Sequence, residues 1–454
     1  MKNKQAALRS GLTKGVSGDS VSGDSVSGDS VSGDSVSGDS GCSEQDLAEE
    51  SEQMSDTSSD SSDNSPVPRM PHKQPQLPTG SDGETVPRRV LRDCQEACHG
   101  NRKLIIHLDI RNTILVADSV TNVSVEEALN SFLTGVVWGS VSNGQWKWFS
   151  SAPSLKSPAQ GLCTYYKYLE KNLVKSPTDR VNLRLQTGDF AHTELGSCFR
   201  QHFDAHLDRL WWDYATEVGH DKVLTMSGRD GKPYHYILPS VYRLLQRLTE
   251  QQREFAIILR TYGRDAPNVL SSLKYGLRGH HPAFQTPFNI NVCNHPGKIN
   301  REQNKFELLT CMQTEENKTP LSLTQEEDIY RYLCSSQGIT GYVDDFLFWQ
   351  NNTYDHAAGK PMWIDPYDHQ HHHIFFDDNF RADDEDSIID VRMFNNDTAR
   401  TSRSLEHSEI GQLEDVFLVQ ADLLESINDE DYFVRKTELC EQNFSQMIQS
   451  GKLL

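Results

Sequence analysis

The chain has 454 residues, a formal net charge of −21 and a mean hydropathy of −0.62. That length supports a sizeable core and up to two domains. An acidic balance of this size argues against a general nucleic-acid binder, which needs a basic face. No stretch reaches the roughly 20 apolar residues of a membrane-spanning helix. Met1–Gln5 leads into no apolar core, so neither a secretory signal nor a membrane anchor is expected. The 9 cysteines are scattered, and no second pair joins Cys94 and Cys98 to complete a zinc spacing. Free thiols in a soluble, cytoplasmic protein are the expectation.

Residues 16–40 repeat Val-Ser-Gly-Asp-Ser without interruption, residues 41–65 are acidic and serine-rich, and a proline-rich stretch begins at Pro66. Such a composition has too little apolar surface to bury, so residues 1–95 are expected to be disordered. Serines beside acids suit an acid-directed kinase, and the tail would then serve as a regulated segment for a protein partner. The other reading is a solvating tail produced by repeat expansion.

The first folded signal is Leu104-Ile105-Ile106-His107-Leu108-Asp109, an apolar run that delivers a lone carboxylate and breaks at Asn112-Thr113. Runs of this kind suit a parallel strand buried on both faces. Ligands of open α/β sheets sit beyond the carboxyl ends of such strands. Asp109 is therefore a candidate nucleophile or metal ligand, or else a cap of the next turn.

Ser124–Leu133 reads as an amphipathic helix with a capping box from Ser124 and Glu127. Val136–Trp138 and Trp146–Phe149, divided by Ser142-Asn143-Gly144, form a hairpin pattern. Its aromatic residues either cover a site or pack locally. Residues 162–220 read as mainly helical; in Phe203–Trp212, Leu207, Leu210 and Trp211 share a face, which predicts Trp211 and Trp212 as core. Ile237–Leu248, with Pro239 near its start, is a helix that feeds the strand Phe255–Leu259 and its hydroxyl, Thr261. Helix followed by parallel strand is half of a right-handed crossover.

Helices are predicted at Ala266–Leu273 and Gln325–Leu333, and a strand with its exit at Ile339–Trp349, which carries Asp344-Asp345. Gly359-Lys360-Pro361 sets a lysine beside a stiff proline. His369-Gln370-His371-His372-His373 reads as a loop entering the third strand. A metal site is the other reading, although neighbouring strand residues face opposite sides and cannot all bind one ion. That strand, His373–Phe376, ends in Asp377-Asp378. Beyond it lie the acidic run Asp383–Asp386, a further strand at Ile388–Arg392 and charged helical segments.

In order, Asp109, Thr261, Lys360 and Asp377-Asp378 are the parts of a phosphoryl-transfer site. The set resembles the haloacid dehalogenase-like (HAD) hydrolase superfamily over residues 100–395, with residues 396–454 as a helical extension. The resemblance implies a doubly wound α/β fold with a mainly parallel sheet and a cap or flap inserted after the first motif. It implies Asp109 as nucleophile, Thr261 and Lys360 on the phosphoryl oxygens, and Asp377 orienting Lys360. Asn112 would contact substrate, and Thr113 would support the site. Mg²⁺ would be held by Asp109, Asp378 and the backbone carbonyl of Arg111, and the substrate would be a phosphorylated small molecule or protein.

Arg111 departs from the pattern, since phosphatases of the superfamily usually carry an acid-base Asp there. A guanidinium neither gives nor takes a proton usefully at neutral pH. General acid-base help is worth about 10²- to 10⁴-fold. Two expectations follow: a Mg²⁺-dependent hydrolase or phosphotransferase with altered acid-base chemistry and Arg111 on the substrate anion, or an inactive HAD fold used for binding.

Overall fold

The computed structural model describes residues 102–117, 123–174, 179–214, 221–311, 320–382, 387–398 and 400–451. The N-terminal tail and the run Asp383–Asp386 lie outside the described residues.

The strands are β1 Lys103–Asp109, β2 Trp138–Ser142, β3 Gln145–Trp148, β4 Cys163–Thr164, β5 Thr225–Ser227, β6 Pro233–His235, β7 Phe255–Thr261 and β8 Gly297–Glu302. They continue with β9 Lys305–Leu309, β10 Ser322–Leu323, β11 Gly338–Asp344, β12 Lys360–Ile364, β13 His371–Asp377, β14 Ile389–Phe394, β15 Ser402–Ser404 and β16 Leu418–Gln420. The central sheet runs β10-β9-β8-β11-β7-β1-β13-β16. From β8 to β16 every pairing is parallel, and β9 and β10 are antiparallel additions at one edge. The chain is thus mixed α/β with a large, mainly parallel sheet.

β1 lies inside this sheet, between β7 and β13, and its alternation decides the layers. Leu104, Ile106 and Leu108 share a core with Val241, Leu244 and Leu248 of helix Pro239–Glu250 and with Val269 and Leu273 of helix Ala266–Tyr275. Ile105 points the other way, into a core with Ile258, Ile329 and Leu333, the last two on helix Glu326–Ser335. Cover on both faces is why the strand is apolar without alternation. Each fully buried Leu or Ile contributes about 1.5–3 kcal/mol. A second, three-stranded sheet, β12-β14-β15, packs on the Ile105 side, where Met362, Ile389 and Val391 meet Phe375 of β13.

The helix after β1 spans Val125–Val136, and its capping box from Ser124 and Glu127 is formed. The β2–β3 hairpin turns through Asn143 and Gly144, both with positive φ (50° and 77°), the backbone of a tight I′ turn. Trp146 packs locally on Tyr165 with ring centroids 4.9 Å apart, whereas Trp148 and Phe149 are exposed. Leu129, Leu133, Phe190 and Phe203 join the same core as Leu104, so this insertion is built into the main body.

Trp211 is 46% exposed, against the expectation of core. Helix Arg200–Leu210 ends one residue before it, and the extended backbone at Trp211 takes it off the helical face. Trp212 is buried as expected. The segment after residue 395 is not only helical: helix Tyr432–Ser450 is accompanied by β15 and by β16, which extends the central sheet beside β13. The histidines 371–373 belong to β13 itself, so the third strand starts two residues earlier than the sequence predicts. Among the described residues no helix is long and apolar enough to cross a membrane.

Candidate active site

β1, β7 and β13 run parallel, so Asp109, Thr261 and Asp377 end on one edge of the sheet. Asp109 and Asp377 face the same side as Ile105, because odd-numbered residues of β1 and β13 alternate with the Leu104 face. Lys360 begins β12 in the second sheet, which lies over that side. Its Nζ donates to Asp109 Oδ1 (2.5 Å) and Asp377 Oδ2 (2.9 Å) and is 2% exposed. Asp109, Asp377 and Asp378 each place a carboxylate oxygen within 4.8 Å of the others.

The loop after β1 completes the cluster. Asn112 takes a left-handed φ of 56°, which an asparagine tolerates, and Ile114 N–H bonds back to Ile110 O at 3.0 Å. The turn brings the Asn112 side chain onto Asp378 and Thr113 Oγ1 to 3.5 Å from Asp109 Oδ2. Asp377 has both oxygens engaged, Oδ2 by Lys360 and Oδ1 by the Asn379 N–H at 2.9 Å. Asp378 Oδ1 accepts from Asn379 Nδ2 at 3.1 Å, and Arg381 bonds its backbone carbonyl.

The electrostatics show a surplus of negative charge. Burial, with Asp377 and Asp378 beside it, pushes Asp109 well above the carboxylate range despite Lys360. Burial and Asp377 push Asp378 up to about 7. Burial works against the Lys360 charge, yet Asp109, Asp377 and Asp344 outweigh it and raise that ammonium above its ordinary value. Lys360, with the Arg381 guanidinium acting on Asp378, leaves three buried carboxylates short of one positive charge, so a hard divalent cation with oxygen ligands fits this donor set. Because Asp377 is occupied, Asp109 and Asp378 are the side chains able to hold it.

Two expected residues have partners outside this cluster. Thr261 is one residue beyond the Asp109 level on β7, and its hydroxyl accepts the Gly263 N–H at 2.8 Å. Arg111 reaches sideways, with Nε 3.6 Å from Oδ2 of the buried Asp265. Three residues beyond the expected set support the site. Arg260, in register with Asp109, is locked to Asp344 and donates to the Pro361 carbonyl at 3.1 Å, beside Lys360. The Tyr262 ring lies 5.3 Å from Lys360 Nζ. The sequence signal for the pair was present in a charged residue inside an apolar strand, Arg260, and the acidic end of another, Asp344.

Comparison with protein-family models, with curated proteins and with solved structures found no match.

Proposed function

We propose that this chain is a Mg²⁺-dependent phosphoryl-transfer enzyme of the HAD-like type, with Asp109 as nucleophile. The carrying observation is the Lys360 ammonium bridging Asp109 and Asp377 at the strand tips, with Asp378 alongside. Lys360 fixes Oδ1 of Asp109 and leaves Oδ2 for attack on phosphorus. An Asp109–phosphorus bond forms as the bond to the leaving oxygen breaks, and water then releases phosphate and restores the carboxylate. Asp109 and Asp378 would hold Mg²⁺, which supplies charge neutralisation at the phosphoryl oxygens. The helices and hairpin between residues 123 and 214 would act as the cover in this reading.

In the HAD pattern the position of Arg111 carries the leaving-group acid, and here its Nε is turned to Asp265, 3.6 Å away. The substrates favoured are those whose leaving oxygen needs no proton, such as acyl and aryl phosphates. The same observation favours the second reading, an inactive fold that binds phosphorylated ligands. A screen of acyl, aryl and alkyl phosphates with and without Mg²⁺ tests both. Turnover that requires Mg²⁺ and disappears in Asp109→Asn supports the enzyme. Turnover that survives Asp109→Asn overturns the site, and phosphate-ester binding without turnover moves the reading to a binding fold.

A further inference from the structure

The opposite edge of the sheet holds another group of ligand-type side chains. It lies about 20 Å from Asp377, six residues along β13 at ~3.3 Å each. Cys334 comes from the last turn of helix Glu326–Ser335, Asp368 from the turn before β13, and His371 from the first position of β13. One ligand atom from each lies within 4.8 Å of the other two.

The surroundings fit a metal rather than a chance meeting. Asp368 is fixed on every side: Oδ2 accepts from Tyr330 at 2.9 Å and pairs with His371 Nδ1 at 2.7 Å, while Oδ1 accepts the N–H of Gln370 at 2.8 Å and of His371 at 3.1 Å. A metal ion would take the place of the proton between His371 and Asp368. The sulfur is prepared as well. Arg260 can only donate, and its Nη1 faces His107 Nδ1 at 3.5 Å. Neutral His107 then carries its proton on Nε2 and donates to His373 Nδ1 at 3.1 Å. His373 in turn carries its proton on Nε2, aimed at Cys334 Sγ 3.3 Å away. A donor directed at sulfur suits a metal-bound thiolate.

The site is also reachable. A cavity of about 460 Å³, lined by Asp368 alone of the three ligands and by Glu327, Tyr330, Arg331, Asp365 and Arg400, opens beside it. The side chains of Asp368 and His371 are 17% and 26% exposed, above a buried Cys334. Mixed sulfur, nitrogen and oxygen ligands exclude Mg²⁺ and Ca²⁺ as the matched ion and suit Zn²⁺. Ligand atoms of a tetrahedral zinc stand roughly 3.3–3.8 Å apart, so the 2.7 Å His371–Asp368 pair would open while the sulfur, within 4.8 Å of both, would close in. We propose that Cys334, Asp368 and His371 form a zinc site whose fourth position is open to this cavity. Three protein ligands and an exchangeable water is the arrangement of catalytic rather than purely structural zinc. The site shares no ligand with the Asp109 cluster.

The test uses the full chain, stripped by a chelator and titrated with Co²⁺. One equivalent should bind with an intense thiolate-to-cobalt absorption in the near ultraviolet, and Zn²⁺ should displace it. Cys334→Ser should lose that absorption and His371→Ala should lose binding. Tyr330→Phe should weaken affinity by about tenfold, and the thiolate-to-cobalt band, which an oxygen-only site cannot give, should be the same in Asp109→Asn as in the parent. Absence of the thiolate band in the parent, or its persistence in Cys334→Ser, overturns the proposal. X-ray absorption of the zinc-loaded parent is independent of how any variant folds: one sulfur in a mixed shell supports the site, and a shell of nitrogen and oxygen alone refutes it.

Discussion

Arg260 and Asp344 form a bidentate ion pair, 2.9 Å and 2.5 Å, with side chains 0% and 1% exposed. Losing one partner leaves the other charge buried and alone, a cost of about 3–5 kcal/mol. Arg260→Met should therefore lower the urea midpoint strongly, and the double variant Arg260→Met/Asp344→Leu should recover most of the loss. Because Arg260 also holds the Pro361 carbonyl, the double variant should still lose the proposed phosphoryl-transfer activity through displacement of Lys360. A double variant as unstable as the single one would show that the pair is not an isolated unit.

Under the proposed HAD-like reading, Arg111 is the position at which to introduce an acid-base Asp. Its pairing with buried Asp265 changes the design. Arg111→Asp alone sets two carboxylates together and should cost about 1–3 kcal/mol. Adding Asp265→Asn removes the repulsion. Only in that double variant should alkyl phosphate turnover rise, by about tenfold or more, equal to ~1.4 kcal/mol of barrier. Assays of both variants at matched folded fraction decide it; a rise that survives a further Asp109→Asn would place the chemistry elsewhere.

His235 and His281 stack with centroids 5.7 Å apart among Trp212, Tyr214 and Tyr242. Burial pushes His235 down to about 4, and burial with His235 beside it pushes His281 down to about 3. The unfolded chain protonates both near pH 6.5. Between that pH and about 4 the unfolded state binds more protons, so stability falls on acidification by up to about 1.4 kcal/mol per pH unit for each imidazole. Above about 6.5 neither contributes. Urea midpoints at pH 7 and pH 5 should differ less in His235→Gln than in the parent. An equal difference would mean that His235 titrates alike in both states.

The proton order along Arg260, His107, His373 and Cys334 is directional. Burial holds His107 well below its ordinary value and His373 down to about 3. Nitrogen-15 spectra should therefore show both rings neutral at pH 6, each with its proton on Nε2. A proton found on Nδ1 of His107 would break the chain at its first link.

Strands β1, β7 and β13 were legible in the sequence because sheets covered on both faces write their strands as apolar runs. The capping box at Ser124 and the turn at Asn143-Gly144 were legible because their chemistry is local. β16 was not, since three residues, Leu418–Gln420, carry no measurable period. The partners of Arg111 and Cys334 were hidden for another reason. Asp265 and Asp368 reach them only once separate loops return to the sheet edges. Lys360 was legible as a residue type beside Pro361, while its place in a second sheet was not.

That second sheet has a consequence for how the molecule assembles. Asp109, Asp377 and Asp378 are gathered by the central sheet, whereas the ammonium between them arrives on β12. A folding chain with only the central sheet formed would hold an uncompensated acidic knot at its strand tips. Docking of β12 supplies the counter-charge, so the acidic cluster is compensated only when the two sheets are packed together.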